Sequence, residues 1–248
     1  MRTRWKFGWS ITYPVFRLLL GVKVHNWENV PQKGPLLIAS NHMNFIDPPL
    51  VGHAARRECF YLAKEDLFKQ SKFFTWLISY FNAIPIKRKG FDVHIFKETA
   101  KLLKKKQAVI LFPEGTRSLK GKLLPFKTGV GMIAMKYKTP VVPTYIRNSH
   151  RPPDEWISRK SPLEVYFAPP LYPKGSSGNK ADYEAFTNLI EEKVRLLAES
   201  ANSKEEKSKG SVGKNSKAVC NETTAAIEYI NPLSKSFHLE RPIPGVNG

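Results

Sequence analysis

The run Ala108-Val109-Ile110-Leu111-Phe112 contains no polar residue, and Leu36-Leu37-Ile38-Ala39-Ser40 has one only at its end. Apolar runs this short, bounded by turn-forming or charged residues, read as buried strands. Each opens at its carboxyl end onto a polar segment. The first leads into Asn41-His42-Met43-Asn44-Phe45-Ile46-Asp47, and the second into Pro113-Glu114-Gly115-Thr116-Arg117-Ser118. In open α/β sheets ligands gather at the carboxyl edge of the strands. Two segments far apart in the chain are therefore expected to build one site.

The remaining pattern fits around these two strands. Residues 60–63, 83–86, 141–146 and 163–167 are further strand candidates. Residues 92–107 read as a helix, with Val93, Phe96, Ala100 and Leu103 on one face. Asp92 is placed to cap it, and Lys104-Lys105-Lys106 sits where cations complement the helix dipole. Residues 128–137, opened by Gly129 and Gly131, and 183–201, striped by Phe186, Ile190, Val194 and Leu197, are helices as well. The expected fold is α/β, a single central mixed sheet flanked by helices. It carries an N-terminal helical membrane-docking segment over 1–32 and one α/β domain over 33–201. The tail, 202–248, is rich in Lys, Ser, Gly and Asn and reads as disordered.

The charge balance narrows the partners. Forty Lys+Arg against 21 Asp+Glu give a formal charge of +19, which calls for an anionic partner: lipid headgroups, a phosphorylated substrate or nucleic acid. The lysines lack the motifs of an RNA-binding module, so no nucleic acid is expected. No uncharged apolar run reaches the ~20 residues of a membrane span. Two shorter aromatic runs, 7–20 (broken by Arg17) and 73–86, fit an interfacial surface backed by Arg2, Arg4, Lys6 and Arg17. Trp5, Trp9, Tyr13, Trp76 and Tyr80 suit the headgroup level, with Phe74 and Phe81 as further contacts. Cys59 and Cys220 lie far apart, outside any metal-ligand spacing.

His42 and Asp47 are spaced so that a turn brings the carboxylate to one imidazole nitrogen. The other is then free to accept a proton from an alcohol, the base-and-orienter arrangement of a serine triad without the serine. No Gly-x-Ser-x-Gly is present and Cys59 has no partner base in sequence, so direct attack by an acceptor hydroxyl is favoured over a covalent acyl-enzyme. Gly115-Thr116-Arg117 forms a tight turn whose guanidinium can grip phosphate in a bidentate fork. Lys87-Arg88 offers a second cationic pair, and Lys64 adds charge nearby. Glu114 either pairs with an arginine or binds a glycerol hydroxyl. A metal hydrolase built on His42, Asp47 and Glu114 is a competing reading.

Taken in order, Asn41-His42-x4-Asp47, Ile84-Pro85-Ile86-Lys87-Arg88, Phe112-Pro113-Glu114-Gly115-Thr116-Arg117-Ser118 and Val141-Val142-Pro143-Thr144-Tyr145-Ile146 resemble the four blocks of the glycerolipid acyltransferases. The resemblance covers residues 34 to 170 and is strongest to bacterial 1-acylglycerol-3-phosphate acyltransferases. It implies acyl transfer to the free hydroxyl of lysophosphatidate, making phosphatidate for phospholipid synthesis. His42 is then the base and Asp47 its orienter. Glu114, Gly115 and Thr116 hold the acceptor, Arg88 and Arg117 bind its phosphate, and Lys64 lies close by. Acyl-CoA or acyl carrier protein is a co-substrate, and no cofactor or metal is required. The implied location is peripheral or monotopic on the cytoplasmic face of the inner (plasma) membrane, against an anionic surface. Another acceptor, glycerol-3-phosphate or a different lysophospholipid, is the alternative within the family. A non-catalytic basic membrane-binding protein is the alternative from another class.

Overall fold

The two apolar runs lie side by side in the computed structural model, which describes residues 3–87, 91–174 and 179–210. β2 (Leu36–Ser40) and β5 (Ala108–Leu111) pair in parallel, with Leu37 opposite Val109. β6 (Val141–Arg147) flanks β2, and β3 (Cys59–Lys64) flanks β5, both in parallel. β4 (Ala83–Ile86) extends this side beyond β3. On the other side β7 (Glu164–Phe167) runs antiparallel to β6, and β1 (Lys23–His25) pairs with β7. Among the described residues these form one mixed seven-stranded sheet, ordered β1-β7-β6-β2-β5-β3-β4. Every residue of β2, β5, β6 and β7 is buried, while the edge strands β1 and β4 keep partly exposed positions.

Alternation along the strands divides the core in two. Leu36, Ile38, Ala108 and Ile110 pack with Phe16, Trp156 and the Leu50, Val51 and Ala54 side chains of α2 (Asp47–Ala54). Leu37, Ala39, Val109 and Leu111 face the opposite layer. That layer comprises α4 (Phe91–Lys104), α5 (Gly129–Lys136) and α7 (Lys180–Gly210), through Leu103, Ile133 and Ile190 among others. Contacts divide the chain into units of 1–203 and 204–248, the second described only at 204–210.

Several elements differ from the sequence reading. The N-terminal segment is helical to Leu19, as α1 (Thr3–Pro14) and a π-helical turn (Val15–Leu19), and again in one 3-10 turn (Trp27–Asn29). It then supplies β1 to the sheet, and Val22 and Val30 to the core. Its junction with the sheet domain is thus a packed one. Trp5 is buried, and Trp9 is half-buried with its indole N–H donating to the His53 carbonyl at 3.3 Å. These two tryptophans serve packing here, not the headgroup level. The His53 ring lies against Trp9, Tyr13 and Phe16. Burial, with the Arg56 charge adding to it, pushes that imidazole down to about 4.

Helix α2 has no counterpart in the sequence reading; Pro48 and Pro49 lie in its first turn. Prolines are tolerated in a first turn, where the amide has no helical partner. α4 begins at Phe91, so Asp92 lies inside its first turn. α7 continues to Gly210, past the expected start of the tail at 202; residues 211–248 lie outside the described residues. The 73–86 run divides into α3 (Lys72–Tyr80), capped by the Ser71 hydroxyl, and strand β4. A short α6 (Pro153–Ile157) seats Trp156 in the core.

Gly129 and Gly131 have different reasons to be glycine. A methyl on Gly131 would sit 2.4 Å from the Tyr183 carbonyl oxygen and 2.4 Å from Thr187 Oγ1, so α5 and α7 approach closely there. Nothing lies within 4 Å of a methyl on Gly129. Gly131→Ala is expected to cost about 1–3 kcal/mol by overpacking. Gly129→Ala should leave the urea midpoint unchanged or slightly raised. Equal midpoints for the two variants would contradict the close approach.

Candidate active site

Asp47 Oδ2 sits at the centre of the loop that leaves β2. It accepts from the Met43 amide at 2.6 Å and the Asn44 amide at 2.7 Å, and lies 2.9 Å from His42 Nδ1. With its proton on Nδ1, His42 donates to Asp47 and presents Nε2 as an acceptor. The carboxylate is fully buried, whereas the imidazole keeps partial access to solvent. Phe112 stacks on the His42 ring, centroids 4.2 Å apart and planes 23° from parallel. Carboxylate and phenyl together hold the imidazole in one orientation.

The loop is braced from three sides. The buried Asn41 amide donates to the Ile146 carbonyl at 3.0 Å and accepts from the Ile146 N–H at 2.7 Å, which ties the motif to β6. Asn44 Nδ2 donates to the Ser149 carbonyl at 2.7 Å. The Ser118 N–H donates to the His42 carbonyl at 2.8 Å. That last bond joins the His42 loop to the glycine turn that follows β5.

Within this turn Gly115 has φ of +70°, a left-handed conformation that glycine adopts without strain. The chain folds back after Glu114, which is 4% exposed, and presents Gly115, Thr116 and Arg117 to solvent. Among the described residues neither Glu114 oxygen has a hydrogen-bond partner. Burial pushes the carboxyl up to about 7. The Leu124 and His42 backbones oppose this without meeting hydrogen-bond geometry, and the charges of Asp47 and Glu191 reinforce it. Among the described residues no arginine pairs with Glu114: the charges acting on it are acidic.

Lys64 is exposed at the end of β3, whose pairing with β5 puts it at the same sheet edge. Arg88 lies outside the described residues. The structure therefore gathers His42, Asp47, Glu114, Gly115, Thr116 and Arg117 at one edge, with Lys64 on the neighbouring strand. The Cys59 thiol is buried and pushed up to about 12 by that burial, which removes it as a nucleophile. Among the described residues no three His, Cys, Asp or Glu side chains are grouped to hold a metal ion. Asn41, Phe112 and Ser118 brace the site, a role the motif reading did not assign to them. Their only signal was position, directly beside the motif residues.

Glu114 makes a pH prediction. Its folded pKa is raised above the ordinary carboxylate value, so the folded state holds a proton that the unfolded chain releases. This contribution to stability is present at acidic pH and is lost as pH rises through about 7. Glu114→Gln should remove that fall, raising Tm relative to wild type at pH 8 more than at pH 5. A Tm difference independent of pH would refute the assignment.

Residues 21–147 match the family model described as Acyltransferase. The chain is 27% identical over 196 residues to a 1-acyl-sn-glycerol-3-phosphate acyltransferase of Bacillus subtilis, covering 78% of this chain and 96% of the relative. It is 31% identical over 196 residues to the chloroplastic 1-acyl-sn-glycerol-3-phosphate acyltransferase BAT2 of Brassica napus, covering 77% of this chain. It spans only 52% of that plant protein. Among solved structures, the 1-acyl-sn-glycerophosphate (LPA) acyltransferase PlsC of Thermotoga maritima superposes with a TM-score of 0.61 at 26% identity, over 82% of this chain and 84% of the other. With the His42–Asp47 pair and the glycine turn joined at the end of parallel strands, and with half its length matched by the family model, the chain belongs to the acyltransferase family.

Proposed function

We propose that this protein transfers a fatty acyl group from an acyl thioester, on coenzyme A or acyl carrier protein, to the free hydroxyl of 1-acylglycerol-3-phosphate. The observation that carries this reading is the His42–Asp47 pair joined to the glycine turn that carries Arg117 by the Ser118–His42 bond. In the proposed step the hydroxyl oxygen attacks the thioester carbonyl and its proton passes to His42 Nε2. The C–S bond breaks, and the leaving thiolate takes up that proton. Asp47 stabilises the imidazolium formed on the way. The buried Glu114 carboxyl has no hydrogen-bond partner among the described residues, and a polar group of the acceptor is proposed to supply one. Gly115 and Thr116 shape the turn, Arg117 holds the phosphate with Arg88 as its proposed second cation, and Lys64 adds positive charge at the same edge. The test is transfer of labelled acyl groups from either donor to lysophosphatidate. His42→Ala should lower turnover by roughly 10²–10⁴ with an unchanged circular-dichroism spectrum. A folded variant with near-normal turnover would overturn the mechanism.

The acceptor and product are lipids, which places the reaction at a bilayer surface. No helix among the described residues is long and apolar enough to cross a membrane. Helices α1 and α3 cross where a methyl on Gly8 would meet the Tyr80 ring at 2.3 Å. On α1, the turn after it and α3, Phe7 (66%), Leu18 (72%), Phe73 (70%) and Trp76 (59%) stay exposed. Phe74 is half-buried and Phe81 packs against the core, so neither is a leading contact. We propose monotopic attachment through these exposed side chains, with nearby lysines and arginines meeting anionic headgroups on the cytoplasmic face of the membrane. Replacing Leu18 and Trp76 by Ser should reduce co-sedimentation with anionic liposomes at high salt, where the electrostatic part is screened. Undiminished binding at high salt would dismiss this surface.

A further inference from the structure

We infer that Lys127, ahead of α5, is a further cation of the acceptor's phosphate site and helps set specificity for phosphorylated acceptors; this rests on the function proposed above. Two bonds mount its backbone. The Lys127 N–H donates to the Pro113 carbonyl at 2.9 Å. The N–H of Phe126, whose side chain is buried, donates to the Glu191 carboxylate at 2.7 Å.

From this mount the side chain crosses the signature turn. A methyl on Gly115 would lie 2.8 Å from Lys127 Nζ, 2.9 Å from Cε and 3.3 Å from Cδ. The lysine could swing aside from such a methyl, so the left-handed backbone is the stronger reason for glycine at 115. The contact shows instead where the ammonium rests: over the turn, one residue past Glu114 and two before Arg117. Among the described residues neither the Lys127 ammonium nor the Arg117 guanidinium has a carboxylate or hydrogen-bond partner. Two cations on one turn, one carried by it and the other laid across it, together with a glycine that admits close approach, form a pocket for a dianionic phosphate monoester. The arginine supplies a planar fork and the lysine a point charge.

The experiment compares the full-length wild type, Lys127→Met and Lys127→Arg in steady-state transfer from acyl-CoA to lysophosphatidate across a range of salt. Methionine retains an apolar stem over Gly115 and removes the charge. Lys127→Met should raise the KM for lysophosphatidate about tenfold, the effect of losing one charge-assisted contact. The KM for the donor should stay constant. The rise of acceptor KM with ionic strength should become shallower than in wild type. Lys127→Arg should restore most of the loss. An unchanged acceptor KM in Lys127→Met, equal loss for donor and acceptor, or an unaltered salt slope would overturn the inference while leaving the proposed function in place. A wild type that does not acylate lysophosphatidate would overturn both.

Discussion

Three donors converge on one oxygen of Asp47, in a place that water does not reach: the His42 ring and the amides of Met43 and Asn44. Burying a carboxylate is unfavourable unless such donors replace its hydration. Here the replacement also shapes the loop. A single group therefore sets the path of the backbone and the orientation of the ring it carries, and neither can shift without the other. Pro48 and Pro49 then start α2 directly behind the carboxylate, so the closing side of the loop is rigid as well.

The sheet explains why this loop meets the glycine turn. β2 and β5 are neighbours, yet their continuations leave on opposite faces. α2 packs into the layer that holds Ile38 and Ile110, and α5 into the layer that holds Leu37 and Val109. Diverging connections open a crevice at the carboxyl ends of the two central strands, which is where α/β sheets bind ligands. The Ser118–His42 bond closes the floor of that crevice, and Asn41 fastens it to β6 on the far side.

Legibility in the sequence followed the strength of local signals. The apolar strands 36–40 and 108–112 and the helical stripe through Ile190 and Val194 were readable because burial imposes their period. β1 was not, since Lys23-Val24-His25 is too short to show alternation and its partner β7 lies far along the chain. Composition misled at 202–210, where Lys and Glu favour helix as readily as they favour solvation. At the site, the contact between His42 and Asp47 followed from their spacing. The isolation of Glu114 from Arg117 did not, because which way each side chain turns after β5 depends on the left-handed step at Gly115. The lysine over that step comes from a separate loop, and no spacing rule reaches it.

Helix α2 is eight residues long, with Asp47 at one end and His53 in its last turn. A helix of that size is a rod of about 10–12 Å. Its far end is clamped by Trp9, Tyr13 and Phe16, the inner faces of the same N-terminal segment whose outer residues are proposed to meet lipid. On the proposed reading, the Asp47 carboxylate and the anchoring segment are two ends of one short lever. In that proposal the seating of the N-terminal helix in an interface sets the angle at which the His42 ring faces the lipid surface, because α2 is a single rigid helix between them.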